Sequence, residues 1–424
     1  VAVSGTVRGE FKSGDVVTLT INSKTFTGTA AANGTFSINV PGADLLADSD
    51  KTIAASVAAT DVANNVGTIS TTKVYTADAT VPTTTVDITA ISLDTGTSST
   101  DFITHDNNGL TISATLSAAL ATGEKLFYSK DNGVTWTDIT ASVTGAAVSH
   151  TDSTLTSTST IQMQVRNAVG NPGTSDTQLI TIDTVAPAPV VSPEDPNNPP
   201  AGKASITLND VTADNVVNST EGAATAVPVT GTVRGEFKAG DIVTLTINTK
   251  TFTGTAAANG TFSIDVPGAD LLADSNKTID ASVGATDVAG NVGSISTTKG
   301  YTVDTSAPTT TVDITAISLD TGVSSTDFIT SDNNGLTISA TLSAALATGE
   351  KLFYSKDNGV TWTDITGSVS GTSPFTAVSF ADSTLTSTST IRMQVRDAAG
   401  NANAGDLQLI TIDTTAPAPV VNPD

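Results

Sequence analysis

Apolar residues recur at every second position over short stretches of this chain, which is the spacing of a β-strand with one face buried. Threonine and other polar residues occupy the alternate positions. The alternation is clearest in three segments, whose apolar residues are Val243, Leu245 and Ile247; Phe262, Ile264 and Val266; and Ile391, Met393 and Val395. Gly, Asn and Asp separate such segments and favour turns. The pattern predicts an all-β sandwich fold with little helix.

Two further local patterns predict turns and short helices. Asn-Gly pairs favour type I′ hairpin turns, in which both central residues need a positive φ. Such pairs include those that begin at Asn33, Asn132, Asn259 and Asn358. The segment ADLLADS, which begins at Ala43 and again at Ala269, predicts a single helical turn.

Long internal repeats divide the chain. GTVRGEFK begins at Gly5 and Gly231, and GEKLFYSKDNGVTWTDIT begins at Gly123 and Gly349, so a pair of units recurs after 226 residues. Units of about 100 residues suit immunoglobulin-like sandwiches. We therefore predict a first A unit (1–80), a first B unit (81–186), a second A unit (187–306) and a second B unit (307–424). Each unit ends in an Asp-to-Pro linker, at Asp78, Asp183, Asp304 and Asp413.

Two segments break the repeat. The second B unit carries four extra residues near 371–375, which predicts a longer loop. The Pro-rich stretch 192–200 cannot form a central strand and is expected to lead into the second A unit.

Charge and composition limit the classes of partner and function that the chain can have. The chain has 18 Lys plus Arg against 42 Asp plus Glu, a formal net charge of −24, which argues against nucleic acid or an anionic membrane as a partner and favours cations. It has no cysteine, so disulfides contribute no stability. No apolar run approaches the roughly 20 residues that span a bilayer, so no membrane insertion is expected. Residue 1 already lies inside a repeat, which suggests an excised fragment.

Catalysis has little support in the sequence. The two histidines, His105 and His150, correspond to Ser331 and Phe380 in the second copy, so no shared histidine chemistry exists. Trp136 and its counterpart Trp362 are interpreted as core tryptophans between the sheets, with an aromatic binding platform as the alternative. We expect no enzyme.

Several motifs, spread over all four units, carry a resemblance to a known family. They are NDVTADNVVNSTE (209–221), VTGTVRGEFKAGD, DVAGN (287–291), the DTxAP linkers, LDTGVSSTDFITSDN (319–333) and FYSKDNGVTW. In their order and repetition, the chain resembles the immunoglobulin-like extender repeats of giant bacterial biofilm and RTX-type adhesins exported by type I secretion. The resemblance implies an extracellular spacer at the bacterial cell surface, arranged as an extended rod, whose joints are rigidified by calcium.

Calcium takes about six to eight oxygen ligands, which only converging loops can supply. In an immunoglobulin-like sandwich, the loop after the first strand faces the following module, and the turn before the last strand faces the preceding one. A joint should therefore gather that loop, the linker and the next module's turn. The second A-to-B joint would use Asp210, Asp214, Asn218, Glu221, Asp304, Asp397 and Asn401. The central joint would use Asp94, Asp101, Asp106, Asp183, Asp287 and Asn291, with Asp131 as a further candidate. The second B unit repeats the loop as Asp320, Asp327 and Asp332, with linker Asp413.

The first A-to-B joint departs from this scheme. The first A unit lacks the leading segment, and Asp397 is replaced by Asn167 in the first B unit. The joint keeps linker Asp78 and Asn171, which predicts weaker calcium binding there. The missing first strand also leaves a sheet edge unpaired, which favours weak self-association.

Other interpretations stay open. Any one of these loops could be an Asx-turn, because Asp and Asn side chains bond their own backbone. SKDNG, which contains Asp131, is better explained as a hairpin turn. The leading function is a structural extender that projects an adhesive tip and is bound to neighbouring repeats. The alternatives are a module that itself binds a glycan or surface protein, and an accessory region of a polysaccharide-degrading enzyme.

Overall fold

The computed structural model describes residues 1–192, 194–371 and 376–420. The chain forms two compact units, Val1–Asp183 and Thr184–Asp424. Within the described ranges, the buried apolar residues form four separate cores, one inside each predicted A or B unit. The domain boundaries stay predictions. No helix in the described part of the chain is long and apolar enough to cross a membrane.

The first A unit pairs two sheets. Its elements are β1 (Ala2–Thr6), β2 (Val16–Ile21), β3 (Lys24–Thr29), β4 (Thr35–Asn39), α1 (Gly42–Ala47), β5 (Thr52–Thr60) and β6 (Val66–Val74). One sheet has the order β1-β4 and the other β3-β2-β5-β6. The helix α1 confirms the predicted helical turn.

The first B unit is a sandwich of a four-stranded and a five-stranded sheet. Its elements are β7 (Val86–Ile91), β8 (Ile103–Thr104), β9 (Leu110–Leu116), β10 (Lys125–Ser129), β11 (Thr137–Asp138), a 3-10 helix (Thr140–Ser142), β12 (Val143–Thr144), β13 (Ala147–Asp152), β14 (Ser159–Arg166) and β15 (Pro172–Ile182). The sheets have the orders β12-β13-β9-β7 and β11-β10-β14-β15-β8.

The second A unit begins with strands that have no counterpart among the described residues of the first A unit. Its elements are β16 (Ala188–Pro189), β17 (Lys203–Leu208), β18 (Val216–Val217), α2 (Ser219–Gly222), β19 (Val227–Gly235), β20 (Ile242–Ile247), β21 (Lys250–Thr255), β22 (Thr261–Val266), α3 (Gly268–Ala273), β23 (Thr278–Thr286), β24 (Val292–Gly300) and β25 (Thr302–Val303). The main sheets are β16-β17-β19-β22 and β21-β20-β23-β24, and β18 pairs β25. No described residue of 192–200 lies in a strand, as predicted.

The second B unit repeats the topology of the first. Its elements are β26 (Val312–Ile317), β27 (Ile329–Thr330), β28 (Leu336–Leu342), β29 (Lys351–Ser355), β30 (Thr363–Asp364), a 3-10 helix (Thr366–Ser368), β31 (Val369–Ser370), β32 (Ala377–Asp382), β33 (Ser389–Arg396) and β34 (Asp406–Ile412). The predicted loop insertion falls on residues 372–375, which lie outside the described residues.

Burial follows the alternation in the sequence. The apolar residues of β20, β22 and β33 that share one face are all buried. Burying a Val, Leu, Ile, Phe or Met side chain stabilises the fold by roughly 1.5–3 kcal/mol. The all-β prediction is thus confirmed, and each of these three strands contributes one face to a core.

The hairpin prediction is partly wrong. Asn132 (φ 55°) and Asn358 (φ 57°) are left-handed, each followed by a left-handed glycine. Asn33 is not, and its turn carries the chain from β3 in one sheet to β4 in the other. The two-residue turn of the first A unit instead lies at Asn22 (φ 51°) and Ser23 (φ 60°), between the paired residues Ile21 and Lys24.

The core position predicted for tryptophan is also wrong. Trp136 is half-buried and lies outside the core cluster, with its ring nitrogen donating to the Gly133 carbonyl over 2.9 Å. The guanidinium of Arg166 lies over the Trp136 ring at 5.2 Å and over the Phe127 ring at 4.4 Å. The tryptophan therefore stacks on an arginine at the sheet surface, a favourable contact for a cation on a ring face. The second B unit repeats this arrangement.

Candidate metal sites at the module ends

In three units, a short strand fixes the linker aspartate beside the loop that follows the first strand. The short strands β8, β18 and β27 run parallel to the ends of β15, β25 and β34. The amides of the linker aspartates then donate to the carbonyls of the short strands, in the pairs Asp183 to Thr104 at 2.9 Å, Asp304 to Val217 at 3.1 Å and Asp413 to Thr330 at 2.9 Å. Loop and linker therefore lie at one end of each of these units.

The loop of the first B unit holds two carboxylates close together. Asp94 accepts the Phe102 amide through Oδ2 at 3.1 Å, and Asp101 accepts the Ile103 amide at 3.1 Å. Burial raises the pKa of Asp94, and the charge of Asp101 raises it further. A cation beside the pair would lower this electrostatic cost.

One oxygen of this pair has no partner. Oδ1 of Asp94 is buried and accepts no hydrogen bond in the described part of the chain, and the same holds for Oδ1 of Asp320 in the second B unit. Buried carboxylate oxygens are normally satisfied, so an orphan of this kind needs an explanation. Because the unpartnered oxygen occurs in both B units, it is a regular feature of this loop and not an accident of one copy.

The backbone of the same loops is strained. Phe102 and Phe328 have φ values of 61° and 60°, and Leu93 and Leu319 have 52° and 53°. Bulky residues rarely adopt this left-handed conformation, and such strain clusters at functional sites. The strained residues lie on both sides of Asp94 and Asp320 in the sequence.

Other predicted ligands of the B units match the Asx-turn alternative. Asp106 accepts the Asn108 amide at 3.0 Å and Asp332 accepts the Asn334 amide at 3.0 Å. Asp327 accepts the Ile329 amide at 3.2 Å, and Asp413 accepts the Thr415 amide at 2.9 Å. Each of these carboxylates stabilises its own turn.

The turn residue Asp131 is satisfied in the same way, by Ser129 and by the amide and hydroxyl of Thr135. These bonds, the Thr135 hydroxyl first, lower the pKa of Asp131 to about 2. The arrangement agrees with a hairpin turn at SKDNG.

The second A-to-B joint is built from amide side chains. Asn218 donates to the Ala399 carbonyl at 2.9 Å, and the Ser219 amide donates to Oδ1 of Asn401 at 2.8 Å. Asn401 in turn donates to the carbonyl of linker Asp304 at 2.9 Å and to Oδ2 of Asp397 at 3.0 Å. The structure thus brings together the A-unit loop, the linker and the next module's turn.

The acidic residues of that A-unit loop are engaged within their own unit. Asp210 forms a 2.5 Å ion pair with Lys299, and Asp214 accepts the Val216 amide at 3.0 Å. Glu221 caps α2 by accepting the Asn218 amide at 3.0 Å, while Asn218 accepts the Glu221 amide at 2.9 Å. These reciprocal bonds form a capping box.

The first A-to-B joint is similar but smaller. Asn167 and Asn171 donate to the Thr80 carbonyl at 2.8 and 3.0 Å, and Asn171 also reaches the Asp78 carbonyl at 2.7 Å. The Thr80 hydroxyl, with its amide, lowers the pKa of Asp78. No A-unit loop bonds this joint within the described residues.

Asp287 and Asn291 form a closed turn in the second A unit. The buried Asp287 carboxylate accepts the Ala289 and Asn291 amides at 2.8 and 2.9 Å and the Asn291 side-chain amide at 2.8 Å. Its hydrogen bonds explain why the sequence places Asp and Asn four residues apart.

The carboxylates do not by themselves form a cation cage. Among the residues that the structure describes, no group of three or more His, Cys, Asp or Glu side chains is placed to hold a metal. Calcium also takes amide and carbonyl oxygens, which dominate the A-to-B joints. The prediction missed two of their bonds, namely the Ser219 amide and the 2.6 Å bond from Asn403 to the Thr310 carbonyl.

The fold and the joints define tandem immunoglobulin-like sandwiches, and comparison with known proteins identifies their family. Neither a family model nor a curated protein matches the chain. It is 32% identical to a structure of a 1.5-MDa bacterial ice-binding adhesin concerned with host cell surface retention, covering 72% of this chain and 91% of that one, with a TM-score of 0.36.

Two further solved structures are similar to the chain in sequence. A Ca2+-stabilised adhesin with which an Antarctic bacterium reaches out and binds ice is 31% identical over 97% of this chain and 94% of that one, with a TM-score of 0.36. A bacterial immunoglobulin-like domain of the M. primoryensis ice-binding adhesin is 44% identical over 24% of this chain and 96% of that one, with a TM-score of 0.22. By sequence identity over this length, rather than by superposition, the chain belongs to the immunoglobulin-like repeats of large bacterial adhesins.

Proposed function

We propose that this chain is an extender segment of an extracellular bacterial surface adhesin, with a mechanical and not a catalytic role, and that it carries a distal binding tip away from the cell. The observation that supports this most directly is the repeated joint. Asn171 and Asn401 each donate to the carbonyl of the preceding linker aspartate, at 2.7 and 2.9 Å. A joint constructed twice from equivalent residues suits a spacer whose length grows by repetition.

Calcium as the stiffening ion is the second element of the proposal. The orphan oxygens of Asp94 and Asp320, the net charge of −24 and the description of one relative as Ca2+-stabilised all support it. For the first B unit, we propose Asp94 with Asp101 as ligands. For the second A-to-B joint, we propose Asp304, Asp397 and Asn401.

Small-angle scattering of the chain in calcium and in chelator tests the function. We expect the radius of gyration to fall on chelation, because loosened joints let the modules bend. The matched control is magnesium at the same concentration. A site formed by oxygens from several loops suits Ca²⁺, the larger ion, better than Mg²⁺. An unchanged scattering profile in chelator would contradict the calcium-stiffened extender.

A further inference from the structure

The outer face of the five-stranded sheet in the second B unit carries a strip of cationic side chains. Lys351 on β29 lies opposite Arg396 on β33, and Arg392 lies four residues before Arg396 on the same strand. Like charges at opposite positions of a sheet repel each other. Lys351 forms an ion pair with Asp364 at 3.0 Å, whereas Arg392 forms none among the described residues. The face is therefore locally cationic on a chain whose formal net charge is −24.

Aromatic rings and leucines border the cationic strip. The guanidinium of Arg396 lies over the Phe353 ring at 4.5 Å and over the Trp362 ring at 5.1 Å. On the other side of β33, the strand β34 presents Leu407 and Leu409, which are 50% and 51% exposed. Adjacent apolar side chains that face solvent mark interaction surfaces. The face thus combines guanidinium groups with ring and aliphatic surface.

The first B unit shows which of these features belong to the second alone. Both units have the arginine stacked on two rings. At one pair of opposite positions, however, the first unit has Gln162 and Thr177 where the second has Arg392 and Leu407. Leu179, the equivalent of Leu409, is 52% exposed, so this face is open in both copies. The second unit therefore adds a cation and an apolar side chain, side by side, to a sheet that is otherwise similar.

The spacing of the two arginines limits the class of ligand. Arg392 and Arg396 are four residues apart on one strand, or about 13 Å at roughly 3.3 Å per residue. A ligand that engages both must carry anionic groups repeated over that length, and arginine pairs with such groups through parallel N–H bonds. Peptides join sheets by adding a strand to an edge through main-chain groups. This face instead presents side chains, which favours a ligand that binds to guanidinium groups and apolar surface.

We propose that this face binds a linear anionic polysaccharide. Its carboxylate or sulfate groups pair with Arg392 and Arg396, and the apolar faces of its sugar rings pack on Leu407 and Leu409. Aromatic and aliphatic surface with a few placed polar groups is the usual lining of such sites. The site adds lateral binding to the proposed spacer and does not depend on the spacer function.

The test uses the whole chain and isothermal titration calorimetry with oligogalacturonate, dextran sulfate and neutral dextran. Chelator is present throughout, so that calcium cannot bridge the glycan to acidic residues of the chain. We expect one or both anionic glycans to bind at one site per chain, with affinity that falls as salt is added, and neutral dextran not to bind. Binding of one anionic glycan and not the other identifies the charged group that the site accepts.

Substitutions that exchange residues between the two B units locate the site. Arg392→Gln should weaken binding about fivefold at low salt, the upper range for an exposed ion pair, and Leu407→Thr should weaken it further. Both changes install the residue that the first B unit carries at the same place in its sheet, and thermal melts verify that the variants fold. The control Arg234→Gln removes the same charge from an exposed position on β19 and should leave affinity unchanged.

The reverse exchange provides an independent check. Gln162→Arg combined with Thr177→Leu should create a second site, which raises the stoichiometry from one glycan per chain to two. The proposal is overturned if neither anionic glycan binds, or if Arg392→Gln and Arg234→Gln weaken binding equally. It is also overturned if poly-glutamate binds as tightly as the glycans, because the face would then recognise charge alone.

Discussion

The Ser219 amide donates a 2.8 Å hydrogen bond to the side-chain oxygen of Asn401, 182 residues further along the chain. The same asparagine donates to the Asp304 carbonyl, so one buried side chain joins the A-unit loop, the linker and the following B unit. Asn171 occupies the equivalent position in the first joint, but its side-chain amide donates only to linker carbonyls. Matched substitutions can therefore compare the two joints.

We predict that Asn401→Ala destabilises the chain by about 1–3 kcal/mol, because it leaves buried groups without partners. Asn171→Ala should cost less than half as much, because Asn171 is only half-buried and has no bond from an A-unit loop. Urea unfolding of both variants measures the difference. Equal costs would show that the loop contact at Ser219 contributes nothing to the second joint.

Calcium should reverse the effect that a substitution at Asp94 has on the melting temperature. In chelator, Asp94→Asn removes a buried charge next to Asp101 and should raise the melting temperature or leave it unchanged. In calcium, the same substitution removes a ligand and should reduce the calcium-induced rise in melting temperature, which follows from mass action. Calorimetry with Asp87→Asn, an exposed position on β7, provides the control. If Asp94→Asn and Asp87→Asn respond to calcium identically, Asp94 is not a ligand.

The pKa of Asp94 gives a pH dependence. Because burial and Asp101 raise the pKa of Asp94 in the folded chain above the usual aspartate value of 3.8, folding favours the protonated form. The resulting stabilisation is present below pH 3.8 and is lost as the pH rises through the raised pKa. In chelator, wild type should therefore lose stability relative to Asp94→Asn over that window. If the stabilities of the two proteins change in parallel with pH, the pKa of Asp94 is not raised in the folded chain.

Periodicity predicted the strands because each sheet buries one face, so burial imposes the period directly on residues such as Leu245 and Ile247. The sequence pattern did not predict the two-residue turns, because Asn22 and Ser23 adopt left-handed φ values without a glycine. Asn22 alone marks such a turn only weakly, because the turn depends on the pairing of β2 with β3.

The candidate sites were predictable in position but not in chemistry. The repeat and the sandwich topology placed the Asp304 linker beside the turn that contains Asn401. They could not show that Asp210 pairs with Lys299, 89 residues away, because that contact depends on where β24 ends. The core position predicted for Trp136 was wrong for a similar reason. Its place at the sheet surface depends on the contact with Arg166, which is distant in the sequence.

The different exposure of two equivalent isoleucines, Ile69 and Ile295, predicts unequal stability of the two A units as they stand in this chain. Ile295→Ala should destabilise the second A unit by about 2–5 kcal/mol, the usual cost of truncating a buried isoleucine. Ile69→Ala should cost less than about 1 kcal/mol, because Ile69 is 55% exposed and its truncation leaves no enclosed cavity. Hydrogen exchange followed by mass spectrometry resolves the two units, since their β5–β6 and β23–β24 segments differ in sequence. Exchange in β23 and β24 should accelerate strongly in Ile295→Ala, and exchange in β5 and β6 should be fast in wild type and little altered in Ile69→Ala. Equal protection of the two wild-type units would show that the first A unit is as stable as the second despite the exposure of Ile69.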